Sequence, residues 1–379
     1  MLTRLLSGDL PRSRVLGAVL LLIFVMLLLT PFAVPGVKAL NVAAKILVFA
    51  VLVASFDLLL GYTGIVSFAH TMFFGIGAYG VAIASSRMGP GWAALGVGIG
   101  GALALSFVLA AGIGLFSLRV RAIFFSMITL AFAAAFQTLA SQLSEFTGGE
   151  DGLTFKMPEL LSPSFEPFEQ PVFGVTIDGR LIAYYLLFAV ALALFLALLR
   201  IVNSPFGRVL QAIRENEFRA EAIGYRVVVY RTISSVLSAL FATLAGAMLA
   251  VWLRYNGPDT TLSFEVMLDV LLIVVIGGMG TMYGAVVGAG LFVVAQSYLQ
   301  DLLRLASEAV SGLPWLAALL SPDRWLLWLG LLFVLSVYYF PAGVVGRLRA
   351  PRTPPPARPG EAGSAAGTDS GAATDPKTT

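Results

Sequence analysis

Apolar residues run through this chain in blocks long enough to cross a bilayer, and polar residues are confined to the gaps between them. Runs of about 17 to 25 residues, the length a helix needs to span hydrocarbon, cover 15–34, 41–60, 63–86, 92–117, 122–143, 180–201, 231–253, 265–283, 284–303 and 324–341. The pattern predicts an all-α polytopic membrane protein of about ten transmembrane helices. Only the Gly-rich stretch GGMGTMYG (277–284) divides the eighth run from the ninth. The membrane domain then covers 1–345, and a Pro/Ala/Gly-rich tail over 346–379, unable to bury a core, is expected to be disordered.

One interruption differs from the others. Residues 204–231 read SPFGRVLQAIRENEFRAEAIGYRVVVYR, a dense charged segment between two membrane-length runs. Ser204 suits the N-cap, Pro205 the first helical position and Gly224 the left-handed position after the end, and Glu215 and Arg219 are spaced as an i,i+4 pair. The spacing predicts one short helix at the membrane face. Val209, Leu210, Ile213, Phe218, Ala222 and Ile223 give it an apolar side, although the period slips around Asn216 and Glu217.

Charge sets the orientation. With the N-terminus inside, Arg200, Arg208, Arg214, Arg219, Arg226 and Arg231 fall on the inner side, as do Arg119, Arg121 and Arg347. The loop 144–179 carries Glu145, Glu150, Asp151, Glu159, Glu166, Glu169 and Asp178 against the single cation Lys156, and so is expected outside. Both termini and the 204–231 loop are then cytoplasmic. The N-terminal run is read as a first span, since removing it as a signal peptide would spoil the even count.

Composition sharpens this and excludes several chemistries. Hydrophobic residues make up 58% of the chain and charged ones 12%, with a mean hydropathy of +0.90, far from a soluble domain. The net charge of +3 comes from dispersed topology signals and implies no nucleic acid. Cysteine is absent and His70 is the only histidine, so thiolate and histidine metal sites and Ser/His/Asp triads are excluded. No GK[ST] phosphate loop occurs. No catalytic residue, metal or cofactor is expected on this chain, and any transport driven by ATP must draw on another one. The lysines (Lys38, Lys45, Lys156, Lys377) sit at span ends, loops or the tail, and no charged clamp stands out within the spans.

Small and polar residues cluster inside two spans. Gly75, Gly77 and Gly80 match GxGxxG, but inside an apolar run with no strand before it, so close helix packing is the better account than a dinucleotide fold. Gly280, Gly284 and Gly288 form a second small-residue stripe, as do Gly96 and Gly100. Gly61 and Gly64 around Tyr62 and Thr63 predict a tight turn or a broken helix, tolerated at depth only beside protein or a water-lined cavity. Asp57, Tyr62, Thr63 and His70 are the candidate pathway residues, with an interfacial or packing role as the alternative for Asp57 and a hydrogen-bonded buried imidazole for His70; Asp57 and Asp269 both lie near span ends.

Together these segments resemble the inner-membrane permeases of branched-chain amino acid ABC importers, the LivM-like subunit, over roughly 40–345. LLLGYTGIVSFAHTMFFGIGAYG is similar to the family's GYTG and SFGH segment, and LRVRAIFFSMITLAF (118–132) to its LRLRG and TLAF stretch. GGEDGL (148–153) matches its GG.DGL loop, VVIGGMGTMYGAVVGA (274–289) its glycine turn, and FPAG (340–343) its closing FP.G. The 204–231 loop resembles its cytoplasmic ATPase-docking loop, which implies that role for Arg214, Glu215, Asn216, Glu217, Ala220, Glu221 and Gly224. The resemblance also implies a second permease subunit, two cytoplasmic ATPase subunits that carry ATP and Mg, and a periplasmic substrate-binding protein. The chain departs from the pattern at Ala69 for the usual Gly, Ala285 for Pro and Asp57 for Asn. Urea and short-chain amide permeases share much of the pattern and stay open as alternatives, as does an ion-coupled secondary transporter.

Overall fold

A computed structural model describes residues 13–34, 36–117, 122–166, 177–309, 319–340 and 342–348. Arg119, Arg121 and residues 349–379 of the tail expected to be disordered lie outside these residues. Long helices make up the fold: α1 (Arg14–Ala33), α2 (Val37–Thr63), α3 (His70–Met88), α4 (Trp92–Ser117), α5 (Ala122–Gln142) and α6 (Gly179–Asn203). The charged segment forms α7 (Pro205–Glu215) and α8 (Glu217–Ala222), followed by α9 (Val227–Leu253), α10 (Phe264–Gly277), α11 (Met282–Ala309), α12 (Trp325–Tyr339) and the short α13 (Gly343–Leu348). A two-stranded antiparallel ribbon pairs β1 (Leu153–Thr154) with β2 (Tyr255–Asn256), Leu153 opposite Asn256.

Among the described residues, nine helices are long and apolar enough to cross a membrane. The predicted span 63–86 is the exception, and it requires a correction. Its helix, α3, starts only at His70, and residues 64–69 are not helical. Its composition, rich in Gly, Ser, Thr and Tyr, follows from position: α3 packs between α9, α4 and α5, and residues 70–79 are all buried. A helix that meets protein on all sides does not need the hydropathy that lipid demands.

The bundle is layered. α2 is its axis, with 94% of its most apolar window buried, against 17% for α1 and 22% for α5. Around α2 lie α9, α11, α6 and α10, while α1, α4, α5 and α12 present apolar side chains outward, including Leu21, Val108, Met127 and Leu326. Such a ring of exposed apolar residues suits a lipid surround.

Missing side chains let the inner helices close up. A Cβ on Gly77 would stand 1.8 Å from the Thr243 carbonyl oxygen of α9, and one on Gly246 of α9 would stand 1.8 Å from the Phe74 carbonyl oxygen. Gly80 abuts Gly98 and Ala102 of α4, and Gly75 meets the Leu262 side chain. Gly284 and Gly288 abut the Gly277 and Ile273 carbonyl oxygens of α10. Gly280 does not continue that helical stripe, because it sits in the turn before α11 at φ 78°. Gly96 and Gly100 face open space.

The break between α2 and α3 is satisfied by protein. Gly64 ends α2 in the left-handed conformation, at φ 73°. The non-helical residues that follow bond to α5: Ser126 Oγ donates to the Val66 carbonyl at 2.9 Å, and the Phe68 N–H donates to Thr129 Oγ1 at 3.0 Å. Irregular backbone at membrane depth requires such partners. The two hydroxyls come from the LRVRAIFFSMITLAF stretch, so two of the segments that carried the resemblance meet in space.

Candidate functional site

At one end of the bundle the charged segment folds as two helices, not one. Ser204 Oγ accepts from the Gly207 N–H at 3.5 Å and Pro205 occupies the first turn of α7. Asn216, at φ −159°, then leaves the helical conformation and caps α8, its Oδ1 accepting the Arg219 N–H at 2.9 Å. The break falls where the apolar period slips. Glu215 and Arg219 therefore lie on different helices, and no ion pair forms between them. Gly224, at φ 96°, ends the motif, with the Tyr225 N–H donating to the Ala220 carbonyl at 3.1 Å, a glycine-type helix stop.

The apolar side of the segment is divided between two jobs. Leu210 and Ile213 are fully buried, and Ile213 packs with Ala220 and Val227. Phe218 is 86% exposed and Ile223 67%, flanked by exposed Glu215, Asn216, Glu221, Ala222 and Gly224. Inward residues hold the segment to the bundle, and outward ones offer an apolar knob with a charged rim.

Two arginines fix this unit in place. Arg231 of α9 makes a bidentate pair with Glu217, Nη1 to Oε1 at 2.8 Å and Nη2 to Oε2 at 3.0 Å, a geometry that adds direction as well as attraction. Arg214 Nη1 donates to the Gly61 carbonyl oxygen at the end of α2. Beside it, the Gly280 N–H donates to Asp57 Oδ1 at 2.8 Å. A Cβ on Gly61 would lie 2.4 Å from the Gly280 nitrogen, and one on Gly280 3.0 Å from Arg214 Nη1 and 3.1 Å from the Gly61 oxygen. Four groups from α2, α7 and the α10–α11 turn thus meet at backbone distance. Gly343 extends the joint, since a Cβ there would lie 2.2 Å from the Gly278 Cα.

Of the candidate pathway residues, Asp57 belongs to this joint and is 2% exposed. Thr63 Oγ1 turns back to the Leu59 carbonyl at 2.5 Å, and Tyr62 is buried at 5%. His70 lies apart from them, at the start of α3, its Nε2 2.9 Å from Ser55 Oγ and 3.2 Å from the Leu52 carbonyl oxygen, its ring edge-on to Phe56. All four pack within protein, and His70 is a hydrogen-bonded imidazole tying α3 to α2.

Away from the charged loop, in the outer half of α2 and near the middle of α11, the structure brings together charges that the sequence scatters. Lys45 Nζ donates to Gln296 Oε1 at 2.7 Å, and Gln296 Nε2 donates to Asp269 Oδ2 at 3.3 Å. This corrects the expectation that no charged clamp exists within the spans. Each residue comes from a different helix, so no local motif could reveal the cluster; the only signal was the rarity of Lys and Asp inside apolar runs.

The fold and these sites define a multi-pass membrane protein whose axial helices are braced from a charged loop at one end. Residues 38–337 match the family described as branched-chain amino acid transport system / permease component, and the chain belongs to that family. It is accordingly a transport permease of the inner membrane rather than an enzyme. The high-affinity branched-chain amino acid transport system permease protein LivM of Salmonella typhimurium is 28% identical over 297 residues, 75% of this chain and 68% of that protein. LivM of Escherichia coli matches to the same extent. A probable branched-chain amino acid transport permease protein LivM of Methanocaldococcus jannaschii is 27% identical over 171 residues, 44% of this chain and 47% of that protein. No solved structure matches the chain.

Proposed function

We propose that this chain is the membrane-spanning permease subunit of an ATP-binding-cassette importer that carries branched-chain amino acids inward by alternating access. The motor is a pair of separate cytoplasmic ATPase subunits holding ATP and Mg, a second permease subunit completes the pathway, and a periplasmic binding protein delivers the solute. The termini and the α7–α8 loop lie in the cytoplasm. The relatives' names support the solute class. The observation that carries the mechanism is the braced α7–α8 unit, which exposes Phe218, Ile223 and Glu221 while Arg214 and Glu217 face its own bundle.

This arrangement divides the docking residues by role. Glu215, Asn216, Glu221 and Gly224 rim the contact with the ATPase, and Phe218 fills a groove on it, as amphipathic helices do in helix-in-groove docking. Ala220 is packing within the loop. Arg214 and Glu217 transmit displacement of the loop to α2 and α9. A rigid-body shift of the docked helices then reaches the axial helix directly.

Phe218→Asp combined with Glu221→Lys is expected to abolish co-purification of the ATPase subunits while leaving the thermal stability of the permease unchanged. Undiminished co-purification would reject the docking assignment. Leucine uptake by the reconstituted complex, dependent on ATP and on the binding protein, tests the solute class.

A further inference from the structure

Lys45, Gln296 and Asp269 lie within the membrane-spanning helices α2, α11 and α10. At the end of α2 remote from the charged loop, Lys38 pairs with the exposed Asp301 and stands 4.9 Å over the Tyr298 ring. Lys45 is two turns further in, about 10 Å at 1.5 Å per residue, and Gln296 is near the middle of α11. Glu265, exposed, stands one turn above Asp269 on α10. Polar groups therefore descend from that face of the protein to the cluster. Below it they stop: α2 carries no charge between Lys45 and Asp57, and Leu52, Val53, Ile273, Ala289 and Phe292 of the three helices are buried in the apolar core.

The cluster is only half-buried, which sets it apart from a packed ion pair. A charge facing hydrocarbon at this depth costs on the order of 2.5 to 3.5 kcal/mol on insertion scales, so lipid is a poor cover for this face. Its chemistry names a better one. The Gln296 carboxamide bridges the two charges, its oxygen accepting from the Lys45 ammonium and its nitrogen donating to the Asp269 carboxylate. An α-amino acid offers the same pair of functions in the same order, a carboxylate that accepts and, one carbon away, an ammonium that donates. The amide is a neutral placeholder for a zwitterion.

We infer that Lys45 and Asp269 form a station for the zwitterionic backbone of the solute, with Lys45 taking the carboxylate, Asp269 the ammonium, and the Gln296 side chain swinging aside. Phe49, whose ring lies 5.4 Å from Lys45 Nζ, is buried and anchors the Lys45 side chain to the core. Selection by two opposite charges admits amino acids and rejects their singly charged analogues, because either loss leaves one station charge unmatched. This inference rests on the import of amino acids proposed above and assigns that solute a place in this chain.

The test uses the complete transporter in proteoliposomes, with permease partner, ATPases and binding protein. Wild type is compared with Asp269→Asn and with the double variant Lys45→Met/Asp269→Leu. Replacing an ion pair by apolar residues of similar size is frequently neutral or stabilising, so the double variant keeps a folded complex, checked by co-purification of the partners and by its melting temperature. The KM for leucine is expected to rise at least tenfold in the double variant. In Asp269→Asn, discrimination between leucine and 4-methylpentanoate, which lacks the ammonium, is expected to shrink at least tenfold, a change that loss of packing alone would not produce. Wild-type KM and discrimination in both variants would overturn the station while leaving the import reading intact. Absence of leucine uptake by the wild-type transporter would overturn the import reading and the station together.

Discussion

The two ends of α2 carry polar groups of opposite character. Near Asp57 the contacts run through backbone: the Gly61 carbonyl takes Arg214, the Gly280 N–H takes Asp57, and glycines let the chains meet. Near Lys45 they run through long side chains, Lys to Gln to Asp, at a half-exposed surface. Backbone contacts have one geometry and break all at once; side-chain bridges rearrange by rotamer changes. The same three helices, α2, α10 and α11, thus hold a rigid joint at one end and an adaptable polar patch at the other. That is the division expected of a subunit driven from one face and loaded from the other.

Breaking the joint should have the largest effect. Gly61→Val would push a side chain to within 2.4 Å of the Gly280 nitrogen and onto Asp57, and is expected to prevent stable folding, seen as loss of detergent-soluble protein in gel filtration. The mirror change at the adaptable end, Gln296→Met, is expected to yield normal amounts of folded protein. Equal loss for both would erase the contrast between the ends. Next comes Asp57. Asp57→Leu strands the half-buried Gly280 N–H and should cost about 1 to 3 kcal/mol, whereas Asp57→Asn keeps an acceptor and should cost less than half of that, as read by thermal or denaturant unfolding.

The smallest effect is predicted at the hydroxyls that satisfy the break after α2. Ser126→Ala and Thr129→Val each remove one hydrogen bond to residues 64–69 and should each cost about 1 kcal/mol, measurable as a modest fall in melting temperature. A much larger loss would mean that the rigid joint extends up α5 as well.

How much of this was legible beforehand depended on sequence separation. The spans were visible because apolar blocks are local, and the glycine turn at 277–284 because Gly punctuates helices wherever it occurs. Gly61 and Gly64 announced a turn or break after α2, but not its extent to His70, because residues 64–69 are held by Ser126 and Thr129 on another helix. Asn216 announced itself as a slip in the apolar period, yet a single helix was the simpler reading until its carboxamide was seen capping α8. Arg214 could be assigned to the loop from its neighbours, but its turn toward Gly61, far away in sequence, could not. Lys45 looked like a span-end lysine for the same reason: its partners lie on α10 and α11.

The account depends most on Arg214 as the link between the docked loop and the axial helix. The direct measurement is the number of solute molecules imported per ATP hydrolysed by the reconstituted complex carrying Arg214→Ala. Phe218, Ile223 and Glu221 are untouched by this change, so the ATPase subunits should still bind and hydrolyse ATP, while solute moved per ATP falls at least tenfold. A wild-type ratio in the Arg214→Ala complex would contradict the account.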